Sequence, residues 1–387
     1  MSGLDATVTA LAEDLAARGA EIEAHRTLPD DLVSAFKKHG LFRMVMPKGL
    51  GGLGLPPRRV VEIVEEISYA DAATGWSLLI GNIGNAFLAW LDPAVAEKLV
   101  ADQPDILVAG GQAPLGQGTL EPDGRHYRLS GRWPFASGCL HSSWYMGGFI
   151  VMEDGRPKTD ARGGPEMRVA YFPASAARTV DTWHVAGLRG TGSHDIVADG
   201  IRVPVEHTSV PYFGPARHDD PVYRLTAYNL LLTCLAGFPL GVGRRALDEA
   251  DRQLRTKRRI GSDQPQIHDP LFQTELMARG TELDAARRQV LGTLDELLDE
   301  LAAGDPGYPR RARLAASVLH ALDTGRVAAM TGFRLCGAAA LHDDNPVQRC
   351  MRDLVAGAQH VAFSADSRKR IAGALLGLQT TPLFFGV

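Results

Sequence analysis

The sequence predicts an α+β protein in three successive parts, helical, then β, then helical again. Apolar residues recur at helical spacing up to about residue 105. They alternate with polar residues in short runs from 106 to about 210, and long helical segments then fill 211–387. The expected organisation is a helical domain over 1–105, a β domain over 106–210 and a four-helix-bundle-like domain over 211–387.

In the first part the helical pattern runs through Val8/Leu11/Leu15, Leu32/Phe36 and Val60/Ile63/Val64/Ile67. Pro29-Asp30 opens one helix, and PKGLGGLGLPP (47–57) reads as a loop rich in glycine. The β part is carried by HYRLSGRW, WYMGGFIVM, MRVAYFPA and DGIRVPVEH, separated by Gly, Pro and Asp. Helical periodicity covers 225–258, 273–303, 311–341 and 347–376, with GDPGYPRR (304–311) as a turn between helices.

Composition excludes several function classes. The chain has 387 residues, 45% hydrophobic and 22% charged, enough to bury a large core. A formal net charge of -4 with dispersed Lys and Arg offers no broad basic face to nucleic acid. The four cysteines form no CxxC pair and read as reduced, buried thiols. The first residues mix charges with apolar side chains, unlike a signal peptide, and the apolar run 225–243 is interrupted by Tyr228, Asn229, Thr233 and Pro239, unlike a membrane span. A cytoplasmic location is expected. None of the twelve histidines forms HExxH or a paired helical site, so no metal is expected.

Three stretches carry candidate chemistry. GRWPFASGCLHSSW (131–144) sets Trp133, Phe135 and Trp144 beside Ser137 and Gly138: flat surfaces, a short hydroxyl and a backbone open to close approach. That suits a planar heteroaromatic ligand, and it equally describes an aromatic strand packed on helices. GLRGTGS (187–193) fits either an anion cradle built with Arg189 or a tight turn between strands. In QRCMRDLVAGAQH (348–360), Asp353 and His360 are seven residues apart, one face of a helix, with small residues around the histidine.

Taken together, LVSAFKKHGLFRMVMPKGLGGLGL, GRWPFASGCLHSSW, DTWHVAGLRGTGSHDIVADGIRVPVEH and NPVQRCMRDLVAGAQH resemble the acyl-CoA dehydrogenase fold over essentially the whole chain. Within that fold the F-A-S-G run and the R-D…Q-H ending look like the oxygenase components of two-component flavin-dependent monooxygenases. Val361 stands where the dehydrogenases commonly have their catalytic Glu, and Asp248 or Glu249 are the residues left for a base on an earlier helix. An FAD-containing acyl-CoA dehydrogenase-like dehydrogenase or oxidase is the alternative.

The resemblance implies a reduced FAD or FMN cofactor, molecular oxygen as co-substrate, a C4a-hydroperoxyflavin, and a separate NAD(P)H-dependent flavin reductase as partner. It implies a homo-oligomer, dimer or tetramer, and hydroxylation or N-oxidation of an aromatic or other electron-rich small molecule. By the same resemblance Phe135, Ser137 and Gly138 meet the flavin, with the Ser137 hydroxyl near N5, and Trp183 lies along the ring. Arg258 binds phosphate across a subunit boundary, and His360 is an acid/base group facing the substrate. Asn82, Asn85 and His141 are expected to line the substrate pocket. Related phenol hydroxylases often carry a histidine where this chain has Gly84, which shifts the expected substrate away from an ionised phenol.

Overall fold

The computed structural model describes residues 2–161, 163–210 and 214–378. Five helices lead: α1 (Ser2–His25), α2 (Asp30–Lys38), α3 (Pro57–Ala70), α4 (Ala72–Ala86) and α5 (Pro93–Asp102). A β layer follows, with β1 (Val108–Leu120), β2 (His126–Ala136), β3 (Trp144–Glu153), β4 (Arg156–Pro157), β5 (Met167–Pro173), β6 (Arg178–Val180), β7 (His194–Pro204) and β8 (Thr208–Ser209). The chain continues through α6 (Ala227–Thr256), α7 (Pro270–Ala303), α8 (Gly307–Cys336), α9 (Pro346–Gly357) and α10 (Ala365–Leu375).

Local chemistry sets several of these boundaries. Asp71 caps α4 by accepting the Thr74 N–H at 2.8 Å, Thr226 caps α6 through Asn229, and Asn345 caps α9 just before Pro346. α4 is apolar nearly all round, and every residue in it except Ile80 is buried, so it forms the centre rather than a face. α6 packs backbone to backbone on α3 because it has glycine at the contact. A Cβ at Gly237 would lie 2.4 Å from the Val61 carbonyl oxygen, and one at Gly241 would lie 2.1 Å from that of Glu65. α6 is long and apolar enough to cross a membrane, yet 89% of its apolar window is buried inside the protein.

The sheet runs in the order β6-β7-β2-β1-β3-β5-β8, with β4 on β3. β1 and β3 are parallel, and the other pairs are antiparallel. Trp133 lies fully buried in a slot left by three glycines: Cβ atoms at Gly116, Gly131 and Gly147 would come within 2.7, 2.6 and 2.5 Å of its ring. Its Nε1 donates to the Gly148 carbonyl at 2.8 Å. This indole fixes β2, the strand that carries Phe135 and leads into Ser137.

The main core runs continuously through both helical parts and takes in Val108, Trp144, Met146, Tyr171 and Leu188 from the β layer. Two asparagines join the layers. Asn82 accepts the Met44 N–H and donates to the carbonyls of Leu41 and Leu78, while Asn85 accepts the Val108 N–H and donates to those of Phe42 and Ile106. All four cysteines are free and buried, and burial pushes the thiols up, Cys139 to about 11.

Candidate functional site

The end of β2 turns outward. Phe135 adopts φ 61, a left-handed conformation uncommon for a bulky residue, and leaves its ring 71% exposed. The three rings of the 131–144 stretch therefore divide: Trp133 and Trp144 belong to the core, and Phe135 alone is offered to a ligand. Trp183 stands edge-on to it at 6.2 Å between ring centroids. Gly138 follows at φ 74, tied by its N–H to the Thr191 carbonyl, and only a residue without Cβ leaves room there for the His141 ring, 2.8 Å from where a Cβ would stand.

Ser137 is buried and hydrogen-bonded. Its Oγ accepts the Trp76 Nε1–H at 3.2 Å and lies 2.7 Å from Ser193 Oγ, which lies 2.6 Å from Thr191 Oγ1; Thr191 in turn donates to the Leu188 carbonyl at 2.8 Å. The same carbonyl accepts the Trp183 Nε1–H at 2.9 Å. Leu188 itself has φ 54, and its N–H is held by the buried Asp353 carboxylate at 2.6 Å. Burial pushes the Asp353 carboxyl up to about 7, against the opposing pull of the Leu188 N–H. Trp76, Ser193 and Thr191 complete the surroundings of the Ser137 hydroxyl, a role that their types and spacing do not announce.

Trp76 is the hinge of the site. Its ring meets His360 edge-on at 5.7 Å and Phe238 at 5.0 Å, so Ser137 from the β layer and His360 from the end of the chain meet on one indole. His360 does not share a helical face with Asp353. α9 stops at Gly357, whose missing Cβ admits Phe238 Cε1 at 2.6 Å, and His360 sits beyond it with φ -60 and ψ 140. His360 Nδ1 accepts the Ala362 N–H at 3.2 Å, so the neutral ring carries its proton on Nε2 and acts there as a donor. Desolvation lowers its pKa to about 4.

The two asparagines expected in the substrate pocket are corrected by the coordinates. Asn82 and Asn85 are fully buried, and their side-chain amides are occupied by main-chain groups, so they are clamps between layers rather than a pocket lining. Arg258 lies on the exposed loop after α6, with a β-bridge to Pro265. The eighteen helical steps from Phe238 to Thr256 amount to roughly 27 Å, which separates Arg258 from the Trp76 cluster of its own chain. The glycines of 187–193 serve packing rather than an anion: a Cβ at Gly187 would strike the Arg352 carbonyl at 2.2 Å, and one at Gly190 would strike Ile22 at 2.3 Å. At Gly84 a Cβ would lie 2.0 Å from the Val108 carbonyl oxygen, so no imidazole fits at that position.

His141 lies beside Gly138 with its Nδ1 buried and unpartnered, and burial together with the Lys37 charge lowers its pKa to about 4. Gln112, in the β1 bulge, likewise has a buried Oε1 without a partner. An exposed ring beside a hydroxyl with acceptor capacity to spare suits a flat ligand with polar edges. The carboxylates considered for a dehydrogenase base are engaged elsewhere on α6: Asp248 accepts the Tyr69 hydroxyl, and Glu249 pairs with Arg245 and Arg252.

Residues 4–102 match the acyl-CoA dehydrogenase N-terminal domain and residues 233–365 its C-terminal domain. The indole-3-acetate monooxygenase of Pseudomonas putida is 30% identical over 95% of this chain and 92% of its own length. The flavin-dependent monooxygenase oxygenase subunit HsaA of Rhodococcus jostii is 30% identical, over 94% of each chain. This chain belongs to the flavin-dependent monooxygenases of acyl-CoA dehydrogenase fold. The solved structure of XiaF from a Streptomyces species, in complex with FADH2 and glycerol, superposes with a TM-score of 0.86 at 25% identity, covering 98% of this chain and 96% of that one. As a member of this family the protein is an oxidoreductase that uses reduced flavin and molecular oxygen, and the dehydrogenase alternative is set aside.

Proposed function

We propose that this chain is the oxygenase component of a two-component system, receiving reduced FAD or FMN from a separate NAD(P)H-dependent reductase in the cytoplasm. The observation that carries the placement is Phe135, an exposed ring held in left-handed backbone beside the acceptor hydroxyl of Ser137. Phe135, Ser137, Gly138 and Trp183 would hold the flavin ring, with N5 next to Ser137. Bound there, reduced flavin supplies two electrons to oxygen, one atom of which goes to the substrate and the other to water.

The protein's own contribution is to position and to exclude water. Trp76, backed by Phe238, and Phe363 pack against the His360 ring with apolar groups, and its Nε2–H is free of the Nδ1 tether to orient an oxygen or nitrogen of the substrate by donation. The substrate is an aromatic or other electron-rich small molecule. With position 84 closed by the β1 backbone, an indole, polyketide aromatic or amine is favoured over a phenol that needs ionisation there.

Exposed apolar side chains on the last domain, Leu271, Met277, Met330 and Leu341 among them, support a homo-oligomer. In it Arg258 of one copy would reach the flavin phosphates of another. Anaerobic titration with reduced FAD and FMN tests the reading. Micromolar binding that perturbs tryptophan fluorescence, followed by oxygen consumption coupled to an aromatic product, is expected; failure to bind either reduced flavin refutes it.

A further inference from the structure

We propose that Thr191 and Ser193 are positioning residues that fix the direction of the Ser137 hydroxyl, so that Ser137 accepts a hydrogen bond from the flavin and the site favours flavin forms bearing hydrogen at N5. The inference rests on the flavin placement proposed above and deepens it. Each hydroxyl has one hydrogen to donate and two lone pairs to accept with. The Leu188 carbonyl has no hydrogen, so its 2.8 Å contact with Thr191 Oγ1 requires Thr191 to donate.

The rest of the chain follows by elimination. With its hydrogen spent on Leu188, Thr191 accepts at 2.6 Å, so Ser193 donates to it. With its hydrogen spent on Thr191, Ser193 accepts at 2.7 Å, so Ser137 donates to it. Ser137 also accepts the Trp76 Nε1–H, a group that can only donate. It is left with one lone pair and no hydrogen for a ligand. Reversing the chain would set two lone pairs against each other at the 2.8 Å contact and leave the Thr191 hydrogen bond to Leu188 unmade.

Reduced flavin carries a hydrogen on N5 and donates; oxidised flavin has a bare lone pair there and accepts. An acceptor-only Ser137 satisfies the first and opposes the second. The base of the chain is rigid: Leu188 is held in left-handed backbone by Asp353, and its carbonyl also carries the Trp183 Nε1–H, so the ring wall and the hydroxyl relay share one anchor. The two residues thus act through Ser137 and touch no reacting atom.

The test compares binding of oxidised and reduced flavin to the purified full-length protein, with FMN and FAD as probes, under air and anaerobically. Ser193→Ala frees the Ser137 hydrogen and should lower the preference for reduced over oxidised flavin about tenfold, which moves the midpoint potential of the bound two-electron couple down by about 30 mV. Thr191→Val should act in the same direction, and Thr191→Ser, which keeps the hydroxyl, should restore the wild-type ratio. Reduced-flavin binding with an unchanged ratio in both Ser193→Ala and Thr191→Val overturns the relay. Absence of reduced-flavin binding in the wild type overturns the placement itself, so the two failures are distinguishable.

Discussion

Replacing Asp353 by Asn should make this protein more stable relative to wild type as pH rises. The side chain is buried, accepts the Leu188 N–H at 2.6 Å, and has its carboxyl pushed up to about 7, first by desolvation. A carboxyl raised in the folded state contributes stability that is fully present below its unfolded value near 3.8 and is lost as pH rises through 7. From pH 5.5 to pH 7 that loss amounts to about 2 kcal/mol at 1.36 kcal/mol per unit, after which it levels off. Asparagine has nothing to ionise and its Oδ1 keeps the Leu188 acceptor, so it lacks this slope. Asp353→Ala lacks the slope as well but leaves the Leu188 N–H unmet, so it should lie about 1–3 kcal/mol below Asp353→Asn at every pH. Urea unfolding followed by tryptophan fluorescence, at pH 5.5 and 8.5 and at fixed protomer concentration, measures all three. The stability difference between Asn and wild type should grow by about 2 kcal/mol between the two pH values. Parallel curves would refute the burial argument.

Further outcomes follow from the same geometry. Gly84→Ala should destabilise by more than about 1 kcal/mol despite the gain in helix propensity, because its Cβ would sit 2.0 Å from the Val108 carbonyl oxygen; a neutral result in urea unfolding would show that β1 yields freely there. His141 and His360, both held near 4 by burial, are refused protons that the unfolded chain takes up below 6.5, so stability should fall as pH drops from 6.5 toward 4. His141→Phe should flatten that fall by up to about 2 kcal/mol between pH 7 and pH 5, read as a smaller shift in thermal midpoint between those two values, and an unchanged shift would reject it. Trp76→Phe keeps the ring against Phe238 and His360 but removes the donor to Ser137, and should cost about 1 kcal/mol, whereas Trp76→Ala should cost about 3–5 kcal/mol. Equal losses for the two variants would show that the Nε1–H carries no share.

The sequence speaks clearly where period and type agree. The change from helical to alternating spacing near 106 marked the β layer, and the aromatic-serine-glycine run pointed to the strand end that the coordinates turn outward. Where a residue type serves two purposes, it misled. Asn82 and Asn85 look like polar pocket residues until their amides are seen meeting six main-chain groups. Asp353 and His360 have helical spacing, yet the chain leaves the helix at Gly357, a C-terminal signal that seven-residue counting passes over. Trp76 and the Ser193-Thr191 pair were invisible for a different reason: their meeting with Ser137 spans about sixty positions of chain, and spacing carries no information at that range.

The slot around Trp133 has a bearing on how this lineage can change. The indole and the glycines at 116, 131 and 147 form a lock whose parts cannot be exchanged one at a time: any side chain added to a glycine collides with the ring, and any smaller ring leaves a hollow that no neighbour fills. Mutational paths that alter this corner must therefore pass through a damaged intermediate. Variation in ligand preference has freer passage through the loops and helix ends around the strand than through its root.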